Sequence, residues 1–183
     1  MTTKHDPWRG AVVDGPYRYR LWRVLRATPG LRCVFVMLNP STADARVDDP
    51  TLRRCIGFAS DLGFQRLDVV NLFAWRATDP RWLRRRVVDD GHAVVIGPEN
   101  DRHIVATCVG ADLVIAAWGA HGSLGDRDLD VVRLLESAGV VLHMLDVTVE
   151  GQPRHPLYLP RSARPRPMKL SAGWRGLLER RSA

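Results

Sequence analysis

Two short runs hold the residues best suited to chemistry. Met37-Leu38-Asn39-Pro40-Ser41 offers an amide and a hydroxyl, and Arg154-His155-Pro156-Leu157-Tyr158 offers an imidazole beside an arginine. Each reads as an apolar segment opening into a polar, proline-stiffened loop. In an open α/β sheet, ligands bind in the crevice outside the carboxyl ends of the strands. An amide, a hydroxyl, an imidazole and a guanidinium gathered there suit a neutral polar ring next to a phosphate.

Positioning these groups falls to a βα alternation. Residues 31–38 are nearly continuous apolar and β-branched, as a strand covered on both faces requires. Asp49-Pro50 is a helix start, with a carboxylate cap and proline at the first helical position. Leu52, Cys55, Ile56, Ala59 and Leu62 give that helix its apolar stripe, and Gly63 its stop. A strand over 67–74 carries Asn71 in its apolar run, and a proline- and arginine-rich stretch follows through Arg86. A helix from about 98 to 109, a strand over 113–118, a helix over 126–138 and a strand over 140–145 complete the pattern. Upstream, Tyr17, Tyr19 and Leu21 alternate with Arg18 and Arg20, the period of a half-exposed strand. The expected fold class is α/β: a three-layer α/β/α sandwich with a four-stranded parallel central sheet plus an N-terminal strand. A single α/β domain is expected over 1–160 and a basic C-terminal tail over 161–183, ending in an amphipathic stretch at 174–178.

Composition sets the class. With 183 residues, 45% hydrophobic and 26% charged, the chain suits one soluble domain with a real core. No apolar run reaches the roughly 18–20 residues of a membrane span, and the start carries no apolar signal core. A cytoplasmic location and no membrane partner are expected. Three cysteines, none at metal-ligand spacing, are expected to be buried free thiols. The net charge of +7 is confined to residues 151–183, where eight Lys/Arg stand against Glu179. A basic segment directly after a candidate site loop points to a polyanionic partner, or else is a solvated tail.

On these residues the chain resembles the uracil-DNA glycosylase superfamily. Met37-Leu38-Asn39-Pro40-Ser41 is similar to the superfamily's first motif, Asn71-Leu72-Phe73-Ala74-Trp75-Arg76 to its second strand, and His155-Pro156-Leu157 to its closing motif. More closely, residues 37–80 with Trp118-Gly119-Ala120-His121-Gly122 resemble a widespread bacterial domain family of unassigned function. Met37 and Ser41 stand where the glycosylases carry glycine, and Leu157 where they carry serine, changes that point away from uracil.

The resemblance implies an N-glycosidic-bond hydrolase acting on a modified or damaged base. Asn39 would position the attacking water or the sugar, with Asp44 or Asp48 as the assisting base. Asp49 is better explained as the helix cap. His155 would donate to the oxygen of the departing base, and Asn71 would read the base edge. Met37, Pro40, Ser41 and Phe73 complete the base-binding set, although core packing is the plainer role for Phe73. Trp75 and Trp82 can stack on bases. Arg76, Gly119, His121, Arg154, Arg161 and Arg164 are the candidates for nucleic-acid contact, with 81–86 either a phosphate-binding run or a solvated helix face. No metal and no cofactor are expected. The partner is nucleic acid, DNA favoured, or a nucleotide. Two other readings stay open: an enzyme or sensor for a free nucleoside or nucleotide, and a non-catalytic nucleic-acid-binding domain. Dinucleotide and P-loop enzymes are excluded by the missing glycine patterns; a serine nucleophile is unsupported, since Ser41 lacks the elbow and only the fold could bring His155 to it.

Overall fold

A computed structural model describes residues 6–168. Its single sheet contains β1 (Arg9–Asp14), β2 (Tyr17–Val24), β3 (Arg32–Met37), β4 (Arg66–Asn71), β5 (Leu113–Ala116), β6 (Leu142–Met144) and β7 (Arg166–Pro167). The order is β1-β2-β4-β3-β5-β6-β7. The four central strands, β4-β3-β5-β6, are parallel, as the βα alternation requires. The antiparallel β1–β2 hairpin extends one side and β7 pairs antiparallel with β6 on the other.

Helices cover both faces of the sheet. Strand β3 shows why: Cys33, Phe35 and Met37 enter one core cluster, and Val34 and Val36 enter the other. The first cluster is closed by α1 (Pro50–Asp61), through Leu52, Cys55, Phe58 and Ala59. The second is closed by α4 (Asn100–Cys108) and α5 (Arg127–Ser137), with α2 (Pro80–Asp90) and α3 (His92–Ile96) beside them. Asp49 caps α1 as expected, accepting from Leu52 N at 2.7 Å. Because α1 follows β3 on one face and α5 follows β5 on the other, the loops leaving these adjacent strands diverge. That divergence is a topological switch point, where a crevice opens.

Several expectations need correction. The stretch before Arg86 contains α2, whose Asp79-Pro80 start repeats the Asp49-Pro50 signal, Asp79 accepting from Arg81 N. Strand β2 is not half-exposed: Tyr19 and Leu21 are buried, and so are Arg18 and Arg23. It lies inside the sheet, between β1 and β4, and the loop over 39–49 covers it. Arg18 donates to Ala43 O at 2.7 Å, and Arg23 to Asp44 O at 2.7 Å. Strand β4 ends at Asn71, and the N–H groups of Ala74 and Trp75 turn to Ile96 O and Val95 O. Phe73 therefore does not share a face with Asn71; it is buried in the α4–α5 cluster.

The three cysteines are free and buried, their thiols pushed upward in pKa by burial. Among the described residues no helix is long and apolar enough to cross a membrane. Residues 161–168 lie against the domain, Arg161 on Asp61 and Arg166 opposite Met144. The stretch at 174–178 falls outside the described residues.

Candidate active site

A pocket of about 480 Å³ opens at the carboxyl ends of the parallel strands. That size suits a nucleobase or nucleoside. Its apolar floor draws on Leu21, Met37, Leu52, Cys55 and Val69, all from the α1-side core. The polar groups that reach it include Arg18 on β2, Asn39 and Ser41 after β3, Asp49 at the start of α1, Asn71 at the end of β4, His121 after β5, and His155 in the last loop.

Asn71 is 1% exposed and rigidly held. Behind it, Asn100 Nδ2 donates to Asn71 O at 3.0 Å and Leu72 O at 2.9 Å, and Arg127 Nε donates to Leu72 O at 2.9 Å. Its side-chain oxygen accepts from an Arg18 Nη at 3.2 Å. A guanidinium only donates, so this contact settles which end of the amide is oxygen. The Asn71 amide nitrogen is buried with no partner. Arg18, 4% exposed, likewise leaves its Nε without a partner, and no carboxylate lies in ion-pair contact with it among the described residues. Burial lowers its pKa to about 10, with Asp49 opposing that shift.

His155 presents the complementary donor. Its Nδ1 accepts from Leu157 N at 3.3 Å, which leaves the neutral ring's proton on Nε2. Burial holds its pKa below the ordinary histidine value, against an opposing pull from Asp49. The ring is set in place by its surroundings. Gly119, at φ 77°, lets the backbone pass where a Cβ would lie 3.4 Å from the His155 Cβ. Arg54 on α1 ties down the following turn by donating to Pro156 O and Leu159 O. Beneath, Trp118 Nε1 donates to Gln152 Oε1 and Gln152 Nε2 to Asp128 Oδ2, both at 2.7 Å. This relay joins the β5 loop to the strand of chain leading into His155.

Asn39 donates from Nδ2 to Ala77 O at 2.7 Å and Pro40 O at 3.1 Å, so its oxygen is the atom it can offer. Asp49 uses Oδ1 as the helix cap and still lines the pocket, which makes Oδ2 the oxygen available there. Chemically, the site combines three donors at Arg18, Asn71 and His155 with two acceptors at Asn39 and Asp49. Donors of this kind stabilise charge developing on a leaving group, and a carboxylate beside an amide oxygen can orient and deprotonate water.

Of the residues proposed from sequence, the pocket brings together Met37, Asn39, Ser41, Asn71, Gly119, His121, Arg154 and His155. Pro40 lies just behind, its carbonyl held by Ala77 N. Asp44 and Asp48 are not pocket groups. Asp44 closes its own turn, and the N–H groups of Arg46 and Val47 hold its pKa low; Asp48 pairs with Arg23 at 2.7 Å. Arg161 pairs with Asp61 at the far end of α1, roughly 18 Å away along that helix, and Arg164 donates to nearby carbonyls there. Arg18, Asp49 and Trp118 are pocket residues that sequence reasoning did not place. Asp49 alone carried a legible signal, and the capping role absorbed it.

An open groove of about 740 Å³ adjoins the pocket, sharing Ser41, Ala77 and Thr78 with it. Arg76, Arg81 and Arg85 line it, with Trp82, which is 38% exposed. Arg86 lies over both Trp75 and Trp82, 4.8 and 5.0 Å from the ring centres, and stiffens that wall. Arg84 meets His121 Nδ1 at 3.1 Å, linking the groove wall to the pocket rim.

No curated protein and no solved structure matches the chain. Residues 18–157 match the family DUF1643, described as proteins of unknown function. That span runs from Arg18 to beyond His155 and so contains Arg18, Asn39, Asp49, Asn71 and His155; the chain belongs to the DUF1643 family.

Proposed function

We propose that this domain hydrolyses the N-glycosidic bond of a modified or damaged base extruded from nucleic acid. One observation carries the reading: the neutral His155 with its proton on Nε2, and the unpaired Asn71 amide, face the same pocket as Asn39 and Asp49. Asn39, Asn71 and His155 are the positions carried by the glycosylase-like motifs, and Asp49 lines the same pocket. Water adds to the anomeric carbon, the C–N bond pair leaves with the base, and one water proton passes to Asp49. Asn39 orients the water. His155 and Asn71 donate to the base as negative charge develops on it, the role for which pre-aligned donors are most effective. Asp49 thus takes the part first assigned to Asp44 and Asp48. Extruding a base costs a few kcal/mol, which backbone and stacking contacts must offset. The groove of Arg76, Arg81, Arg85 and Trp82 supports that role, because it combines phosphate-binding charge with an exposed aromatic face.

The test uses labelled single- and double-stranded oligonucleotides carrying deaminated, oxidised or alkylated bases, followed by alkaline cleavage of abasic sites. Strand breaks at one lesion, lost in Asn39→Ala and His155→Ala, are the expected result. Salt-sensitive binding with no cleavage of any lesion would replace hydrolysis with the binding-domain reading. Neither binding nor cleavage would favour a free nucleotide as the ligand.

A further inference from the structure

The pocket floor has a hydrogen-bonding polarity that an asparagine alone would not have. A free asparagine amide presents one donor end and one acceptor end, and so matches an edge that carries both. Here the acceptor end is taken: Arg18 donates to the Asn71 oxygen at 3.2 Å. What remains unpaired is the Asn71 Nδ2 and the Arg18 Nε, both donors, both inaccessible to solvent, on two residues that line the same pocket. A buried donor left without a partner costs free energy, more so on a charged group. A buried guanidinium without a contacting carboxylate adds an uncompensated positive charge. Both residues line the pocket, and a ligand that reaches the two atoms after a small side-chain shift relieves both costs by supplying two acceptors.

Resting on the proposed reading of the pocket as a base site, we infer that its floor reads a base edge made of two neighbouring acceptors. Two kinds of base present one: 6-oxopurines, through O6 and N7, and cytosine-type pyrimidines, through O2 and N3. Paired donors from an arginine already match O6 and N7 in groove recognition. Uracil and thymine place N3–H between their two oxygens and would set donor against donor. Adenine offers N7 beside an amino group and mismatches in the same way. The floor excludes uracil by polarity, independently of the Met37 and Leu157 substitutions.

The experiment titrates the full chain with bases methylated at the glycosidic nitrogen: 9-methylguanine, 9-methylhypoxanthine, 1-methylcytosine, 1-methyluracil and 9-methyladenine. Isothermal titration calorimetry reads the affinities. At least one of the first three is expected to bind about tenfold or more tightly than the last two, and the tighter class tells purine from pyrimidine. Asn71→Asp, an isosteric change whose carboxylate pairs with Arg18, is expected to remove that binding. Arg18→Met frees the Asn71 oxygen and is expected to narrow the preference against 1-methyluracil. Uracil or adenine binding as tightly as the acceptor-pair bases in the unaltered protein would overturn the inference and leave the base site standing. Absence of binding by all five would overturn both.

Discussion

Two buried polar clusters stand at the carboxyl end of the sheet, and they are built in opposite ways. Trp118, Gln152 and Asp128 form a closed relay: the indole donates to the Gln152 oxygen, the Gln152 nitrogen to Asp128, and Asp128 also accepts from Leu129 N. Arg18 and Asn71 form an open pair, each with a donor atom that has no partner among the described residues. Both clusters are almost fully buried, so burial does not distinguish them. The difference lies in what each faces. The relay joins loop to helix and only its Trp118 reaches the cavity, whereas both residues of the open pair line it. Unpaired buried donors cost stability, and the cavity that both of these residues line is what sets this pair apart.

The largest effect expected from this contrast comes from closing one cluster's argument against the other. Gln152→Ala leaves the Trp118 N–H and a buried Asp128 oxygen without partners, and should cost about 3–5 kcal/mol in denaturant unfolding. Arg18→Met removes a buried charge but also takes the donor from Ala43 O and from the Asn71 oxygen; the two effects oppose each other, and the net cost should be smaller, about 1–2 kcal/mol in the same measurement. Equal losses would erase the distinction between brace and site.

A second prediction concerns pH. Burial depresses the folded-state pKa of His155, partly countered by Asp49. A depressed histidine contributes stability that is present above its unfolded value, about 6.5, and lost as pH falls through the folded value. Unfolding midpoints should therefore decline below about pH 6.5, and less steeply in His155→Gln. His103, shifted the same way by burial, keeps part of the slope in that variant. Any turnover should fall on the same acid limb, because protonation of Nδ1 breaks its bond from Leu157 N. An unchanged limb in His155→Gln would assign it elsewhere.

The smallest effect sharpens the boundary between pocket and groove. Arg81→Ala with Arg85→Ala should weaken oligonucleotide binding about 3–10-fold near physiological salt and flatten its salt dependence by about one unit per lost phosphate contact. Binding of a free methylated base should stay unchanged, because neither arginine lines the pocket.

The parts of this design legible in sequence are those governed by local chemistry. The apolar run at 31–38, the Asp49-Pro50 cap and the polar residues at successive strand ends each announce themselves within a few positions, and the pocket gathers Asn39, Asn71, Gly119 and His155 accordingly. The burial of Arg18 was not legible. Its alternation with tyrosines is that of a half-exposed strand, and only the loop over 39–49, folded across β2, encloses it. Asp48 lies outside the pocket for the same reason, since the arginine that holds it comes from a distant strand, whereas Asp44 is turned to the N–H groups of Arg46 and Val47 in its own turn. Phe73 shows the limit of periodicity: alternation holds only while strand pairing lasts, and β4 ends two residues earlier. The start of α2 is legible too, for Asp79-Pro80 repeats the Asp49-Pro50 signal of α1.

The pocket is walled by residues from nearly both ends of the described chain, Arg18 on β2 and His155 after β6, joined across a mostly parallel sheet. Its contacts are therefore among the most distant in sequence, the kind formed late because loop closure must precede them. A form in which either Arg18 or His155 is undocked lacks one wall of the pocket, so a ligand favours the native state. Occupancy at a hundred times Kd then raises global stability by about 2.7 kcal/mol, and the melting temperature of the whole domain becomes a measure of what fills the space between Arg18 and His155.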